Sequence, residues 1–342
     1  MKGRDNLQNL KKSLWNSSFS HIYIEKRAIN NINAKRILSN FKDATKIEIE
    51  HYKDVFCRGH QSFALQKNSP KLILAVKRDN FIYKGAEVCE DFGNSHFYYT
   101  STMMNCIYDC EYCYLQGMYP SSNIVIFVNI EDIFYEVEQL LKKHAVYLCI
   151  SYDTDILALE GITSFATKWL EFALKHPNLK IELRTKSANF AAIQYIPAIN
   201  NVILAWTLSP LNIIEKFEKN TPSLNSRLES ANNAIKKGWN VRLCFDPLLY
   251  VEDWQKNYEK CIDDTFNKIS PDDILDISVG VFRVSKDYLK KMRKGREYSL
   301  ILNYPFECKN GVCTYTENHS SNLVNFVYEK LLYYVPAEKI YV

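Results

Sequence analysis

Apolar and polar residues follow two rhythms along this chain, and the switches between them mark out its elements. From residue 97 onward, strand-like runs alternate with amphipathic runs of helical period, the signature of βα units around a parallel sheet. Strands are expected at 97–101, 146–152, 180–186, 202–208, 240–245 and 275–281. Helices are expected at 131–143, 164–175, 189–196, 224–237 and 257–268, with a further one at 286–294. Six such units predict an α/β fold, a partial (βα)6 TIM-like barrel open on one side, with its active site at the carboxyl ends of the strands. Residues before 92 read as a small α+β lead-in, with strands at 20–25, 46–51 and 71–77 and a helix at 34–41. The end of the chain reads as a strand at 298–303, a hairpin turning at Asn310-Gly311, a helix at 320–333 and a short strand at 339–342. The expected division is therefore 1–92, 93–296 and 297–342, with no internal repeat or low-complexity tract.

Composition narrows the class. A chain of 342 residues that is 47% apolar and 24% charged has the length and make-up to bury a large α/β core. A net charge of +4 tolerates a nucleic-acid partner without demanding one. No apolar run reaches bilayer length and no secretory signal opens the chain, so a cytoplasmic protein without a membrane partner is expected. The ten cysteines are then mostly reduced thiols. Outside the cluster discussed next, Cys57, Cys89, Cys149, Cys244, Cys261, Cys308 and Cys313 read by default as small buried hydrophobes.

Candidate chemistry concentrates in one loop. Cys106, Cys110 and Cys113 form C-x3-C-x2-C directly after the first expected barrel strand. Three thiolates at this spacing can hold three irons of a [4Fe–4S] cube and leave the fourth without a protein ligand. In S-adenosylmethionine radical enzymes, the amino group and carboxylate of the methionine half take that open iron. A structural zinc site is the rival reading, but it wants four ligands, commonly two C-x2-C pairs. Only the loosely spaced Cys308 and Cys313 remain to supply a second pair. Tyr112, just before the last cysteine, is placed to stack on an adenine ring.

The run 105–115 (NCIYDCEYCYL), followed by 124–130 (IVIFVNI), resembles the spore photoproduct lyase family, as does Tyr23-Ile24-Glu25-Lys26 with a helix after it. Tyr152-Asp153-Thr154-Asp155, with Glu160 soon after, is similar to the family's cysteine-threonine-serine-aspartate segment, and Lys186 falls in the matching place on the next strand. The resemblance implies a partial barrel of radical S-adenosylmethionine type and light-independent repair of the thymine dimer of irradiated spore DNA. It also implies a [4Fe–4S] cluster, S-adenosyl-L-methionine and an external one-electron reductant such as flavodoxin or ferredoxin. Carried over by residue, it makes Cys106, Cys110 and Cys113 the cluster ligands. Thr154, Asp155, Lys186 and Thr207 then surround the methionine half, and Tyr112 and Tyr114 belong to the radical site. Elementary charge pairing agrees in part, since a zwitterion needs one carboxylate and one cation, which Asp155 and Lys186 supply. The plainer readings are a helix cap for Asp155, a solvated charge for Lys186 and packing for Tyr114.

Two departures from the family stand out. The family's hydrogen-donor cysteine is replaced by Tyr152. Strand period points Cys149 toward the outer helices, whereas Cys244 shares a lumen face with Arg242 and Asp246. Tyr152 or Cys244 is therefore expected to return hydrogen to the product, against the plainer reading of Cys244 as an inert buried thiol. Of the family's histidine-arginine pair on the sixth strand only Arg283 is kept. Two other functions stay open: a radical enzyme of this fold with a different substrate, and an iron–sulfur protein that binds nucleic acid without turnover. Lys290, Arg293 and Lys294 share a helical face that suits phosphates or simply solvent. With Arg283 and the Asn310-Gly311 hairpin they are the candidate DNA contacts, and a damaged dimer costs less to extrude from a duplex than intact bases.

Overall fold

A computed structural model describes residues 19–86 and 89–342. Six parallel strands, Phe97–Thr100, Val146–Cys149, Leu179–Thr185, Val202–Thr207, Asn240–Leu248 and Asp276–Val281, lie side by side in chain order. This is the expected partial barrel. It does not close, because Ile82–Lys84 pairs antiparallel on one outer edge and Ile340–Tyr341 parallel on the other. All six residues of Val202–Thr207 are buried, as a parallel strand covered on both faces requires. The covering helices follow the expected stripes. Ile130–Leu141 buries Ile130, Ile133 and Val137, and Phe165–Lys175 buries Phe165, Ala166, Trp169, Leu170, Phe172 and Ala173.

Three local expectations fail for identifiable reasons. The helix expected at 189–196 shrinks to the single 3-10 turn Phe190–Ala192, because Pro197 disfavours helical geometry in the residue before it. The strand expected at 298–303 is a series of turns, with Tyr298 and Leu300 exposed. Its carbonyls serve Arg293 instead of a ladder: Arg293 Nε donates to Leu302 O at 2.6 Å and Nη2 to Tyr304 O at 2.7 Å. Cys308 and Cys313 are joined in a disulfide, not reduced. They stand directly opposite each other on the hairpin strands Glu307–Lys309 and Val312–Thr314, which brings their sulfurs within bonding reach. The turn between them places Asn310 at φ 51° and Gly311 at φ 80°, the positive values that a tight two-residue hairpin turn demands. This hairpin adds Arg283–Ser285 as a third strand beside the sixth barrel strand.

The lead-in is a parallel sheet of His21–Glu25, Thr45–Ile49 and Leu72–Ala75. Its fourth strand, Ile124–Phe127, comes from beyond the division expected at 92 and pairs with Leu72–Ala75. The segment 105–123 with the three cysteines thus runs between two sheets. Buried Glu25 ties this sheet to its flanks, Oε1 accepting from Tyr52 N at 2.8 Å and Oε2 from Val76 N at 3.0 Å. No helix among the described residues is long and apolar enough to cross a membrane.

Helix Lys286–Gly295 packs directly on the short helix Leu115–Met118 that follows the cysteines. Gly117 permits the approach: a Cβ there would lie 2.5 Å from Tyr288 Cβ and 2.6 Å from its Cα and carbonyl oxygen. Gly117→Ala is therefore expected to cost about 1–3 kcal/mol through overpacking. A lower urea midpoint with an unchanged slope checks this.

Candidate active site

The cysteine loop leaves the carboxyl end of the first barrel strand and is held by main-chain ties from every side. Asn105 enters it at φ 69°, and its amide donates to Ser121 O at 2.7 Å and Asn123 O at 2.8 Å. Lys67 Nζ donates to Cys106 O at 2.5 Å and Tyr108 O at 2.7 Å. Gln116 Nε2 donates to Glu111 O at 2.7 Å, and its Oε1 accepts from Arg296 Nε at 2.7 Å. Arg296 also pairs with Asp109, and Glu218-Lys219 bridges antiparallel to Asp109-Cys110.

Cys106, Cys110 and Cys113 all open into one cavity of about 460 Å³. The donor set fits a cube better than a single ion. Among the described residues no three His, Cys, Asp or Glu side chains are drawn together tightly enough to hold one metal ion. Zinc at about 2.3 Å from each sulfur would require such a group, whereas a cube takes each thiolate on a different iron. Burial pushes the Cys110 thiol up to about 12 and raises Cys106 and Cys113 as well, so cation binding is what would deprotonate them. The same cavity is lined by Thr154, whose buried Oγ1 has no hydrogen-bond partner among the described residues. A buried hydroxyl left open toward a cavity calls for a polar ligand.

Lys186, at the end of the third barrel strand, lies within 3.7 Å of Cys110 Sγ. Its Nζ donates to Tyr112 Oη at 2.5 Å and Glu218 Oε1 at 2.8 Å, and it sits 4.7 Å from the Tyr112 ring centroid. Glu218 is fully buried and also accepts from Ser209 Oγ at 2.8 Å, from the Tyr112 hydroxyl and from Arg227. Burial opposes its ionisation, but Lys186 and Arg227 outweigh that and hold it well below the usual carboxylate range. Asp155 is engaged locally: it accepts from Thr185 Oγ1 at 2.7 and 2.9 Å, Lys186 N at 2.8 Å and Ala158 N at 3.0 Å. The helix-cap reading of Asp155 fails, since it closes the turn at 156–159 and the helix that follows, Glu160–Thr163, has Leu159 at its N-cap; the carboxylate facing Lys186 is Glu218, which sequence reasoning missed. Thr207 lines the cavity, and its carbonyl accepts from Arg227 Nη1 at 3.1 Å. Short polar bridges such as Glu218-Lys219 carry no periodicity, so only its place beside a buried arginine would have flagged it.

The opposite wall is phenolic. The Tyr114 hydroxyl donates to the Tyr152 carbonyl at 2.5 Å, and the two rings lie 5.7 Å apart. Tyr152 stacks on Tyr99 at 4.1 Å. Cys89, a half-buried residue of the loop before the first barrel strand, lines the cavity beside the Tyr152 side chain. No motif marks it, because the two residues come from different loops. Cys149 also lines the cavity, against the strand-period expectation. Tyr147 and Cys149 form the lumen face, and Tyr152 joins them because regular pairing stops at Cys149 and the chain turns inward. Cys244 is fully buried and does not line the cavity. It stays in the lumen as expected, but beside Arg184, Glu182 and Arg242, out of the substrate space.

The remaining charges separate. Arg283 lines the cavity and pairs with Asp246 at 3.3 Å, which also holds Arg184 at 3.2 Å. Lys290 and Lys294 are exposed on their helix. Arg293 is not a free phosphate contact, since its guanidinium is committed to Leu302 and Tyr304. Glu218→Gln is expected to cost about 3–5 kcal/mol, because it strands two buried cations. As Glu218 is held low, its contribution is present above the unfolded glutamate range and fades as pH falls through its folded value. Denaturant titrations of both proteins should therefore differ most above about pH 5 and converge in acid.

Residues 18–295 match the family model described as spore photoproduct lyase. The spore photoproduct lyase of Clostridium acetobutylicum is 25% identical over 263 residues, 73% of this chain and 75% of its own. That of Bacillus subtilis is 23% identical over 157 residues, 45% of this chain and 46% of its own. A solved structure of a spore photoproduct lyase complexed with dinucleoside spore photoproduct shares the fold with TM-score 0.81 at 17% identity, covering 95% of this chain and 99% of that one. A mutant spore photoproduct lyase with bound AdoMet and the same dinucleoside gives 0.80 at 17% identity, covering 94% and 97%. With the family match running from the lead-in through the last barrel unit, this chain belongs to the spore photoproduct lyase family of radical S-adenosylmethionine enzymes.

Proposed function

We propose that this chain is a lyase that converts the methylene-bridged thymine dimer of spore DNA back to two thymines. The observation that carries this is one cavity shared by three cysteines on a clamped loop, the open Thr154 hydroxyl and the Cys89–Tyr152 pair. Cys106, Cys110 and Cys113 would hold a [4Fe–4S] cluster, with S-adenosylmethionine on its open iron, and this pair supplies when reduced the 5′-deoxyadenosyl radical that takes hydrogen from C6 of the dihydrothymine half. Lys186, whose three N–H groups point at Cys110, Tyr112 and Glu218, would receive the cofactor carboxylate by giving up its long contact to Cys110, and Thr154 and Thr207 would bond its polar atoms. Tyr112 is fixed by Glu218 and Lys186 and forms a rigid wall for the nucleoside. Arg283 faces the cavity and suits the single phosphate that joins the two nucleosides. Exposed Lys290 and Lys294 then extend a positive track for the flanking strand, and a flavodoxin or ferredoxin would deliver the electron.

Once the bridging carbon–carbon bond breaks, the product methyl radical needs a hydrogen atom. Cys89 S–H and Tyr152 O–H, side by side at the cavity wall, would supply it. In deuterated water both sites exchange, so deuterium is expected in the methyl group of the repaired thymine. Cys89→Ala/Tyr152→Phe should lose that label and divert product, while Cys244→Ala should change neither rate nor label. Dinucleoside spore photoproduct given to anaerobically reconstituted enzyme tests the function directly. Formation of 5′-deoxyadenosine without thymine release would favour a different substrate, and formation of neither would favour a binding protein. Cys110→Ala is expected to lower iron and sulfide content after reconstitution, read by metal analysis.

A further inference from the structure

On the lyase reading an electron has to reach the cysteine loop while nucleoside and lesion fill the cavity, so the loop needs a second approach. The structure shows one. Lys67 Nζ, which donates to Cys106 O and Tyr108 O at 2.5 and 2.7 Å, belongs to a segment that lies on the loop from outside. No residue of that segment lines the cavity. Phe63 packs with Val55 and Phe56 in one apolar cluster with Leu115, Cys106 and Cys113. Gln66 Oε1 accepts from Ser121 Oγ and Ser122 N, both at 3.0 Å, which fixes the segment to the far end of the loop as well. Within the segment, Gln66 Nε2 donates to Gln61 Oε1 at 2.7 Å. Gln61 Nε2 donates in turn to Phe56 O at 2.9 Å and Arg58 O at 2.8 Å. The segment is therefore a preformed platform over the cysteines.

Its outer face is both basic and apolar. Residues 57–78 carry Arg58, Lys67, Lys71, Lys77 and Arg78 and hold no Asp or Glu. Arg58 and His60 are exposed, and Leu65, on the short helix Phe63–Gln66, is 73% exposed among the described residues. Asp54, the acid just before this stretch, is turned back to accept from His51 N at 2.9 Å. Residues 1–18 carry Lys2, Arg4, Lys11 and Lys12 against Asp5, the same sign as the platform, so its charge complement is an external acidic partner. A duplex has to approach the cavity side, where the lesion enters, and gains nothing from an exposed leucine. A protein surface gains from the leucine and the cations alike.

We propose that this platform, presenting Leu65 with Arg58, Lys67 and Lys71, is the docking surface for an acidic one-electron carrier protein of the flavodoxin or ferredoxin class. It rests on the lyase reading only in taking Cys106, Cys110 and Cys113 as cluster ligands. The step balances: the carrier is oxidised by one electron, the cluster is reduced by one, and no bond forms between them. A single hydrogen bond, from Lys67 to Cys106, joins the platform to a residue whose sulfur would sit on iron. The carrier docks and leaves while the substrate stays enclosed on the other side of the loop. Charge steers the encounter, so it weakens as salt rises.

Arg58→Glu/Leu65→Glu changes two exposed side chains outside the cavity. Purified flavodoxin and ferredoxin serve as probes of the anaerobically reconstituted enzyme. The wild type is expected to bind at least one of them in calorimetry, with an affinity that falls with salt, and to take an electron from it in stopped flow. In the variant, affinity and second-order reduction rate should both fall about 10–100-fold. Reduction by dithionite, and the 5′-deoxyadenosine formed with it, should match the wild type. Leu174→Glu/Lys175→Glu, the same change on an exposed face of a covering helix, should leave carrier binding unchanged. Unchanged carrier binding and reduction in Arg58→Glu/Leu65→Glu overturn the docking surface. So does an equal loss in the matched control or in dithionite reduction, or a wild type that binds neither carrier. Weaker binding of a lesion-containing oligonucleotide with carrier binding intact overturns it too and reassigns the platform to nucleic acid. The lyase reading fails separately, if the dithionite-reduced wild type releases no thymine from the dimer.

Discussion

A single buried carboxylate sets the geometry on which the site depends. Glu218 holds Lys186 from the third barrel strand, Arg227 from a covering helix and Tyr112 from the cysteine loop, and its own backbone bridges to Cys110. Three segments distant in sequence are thereby fixed to one another through charge-assisted bonds to one fully buried carboxylate. Such an arrangement is costly to desolvate and survives only when every partner is present. What it secures is position. The loop that would carry a cluster cannot drift relative to the strand ends that would carry the nucleoside, because both are tied to the same two oxygens.

The barrel was largely legible from periodicity. Continuous apolar runs such as 202–207 and helix stripes such as Ile130, Ile133 and Val137 state their environment locally. The cysteine loop was legible too, because three ligands in eight residues need no tertiary information. What failed to show were contacts that exist only after folding. Cys89 has no pattern around it, and its meaning comes from a tyrosine 63 positions away reaching the same wall (from 89 to 152). Glu218 likewise sits in a two-residue bridge too short to have a period. Alternation also misplaced Cys149, since the rule holds only while the strand stays regular, and here it ends at that residue.

The replacement of the family's donor cysteine by Tyr152 looks like a loss when read along the sequence. In space a thiol stands close by. It comes from another loop and lies beside the phenol that occupies the old position, so on the proposed lyase reading the wall would still present a weak S–H bond toward a substrate. The phenol adds something that the thiol alone does not have, an aromatic face on which a second ring can lie. Substituting the donor therefore changes what the site is connected to as well as what it contains.

The return of Ile124–Phe127 into the first sheet bears on how this protein can be divided. Leu72–Ala75 is buried along its whole length only because a strand from the far side of the cysteine loop covers its edge. A fragment ending near 92 would present that apolar edge bare, an invitation to self-association. The lead-in is thus no cassette to be exchanged or shed. It and the barrel are stitched by the very stretch that bears the thiols, so a cut between them separates a strand from the sheet that it completes.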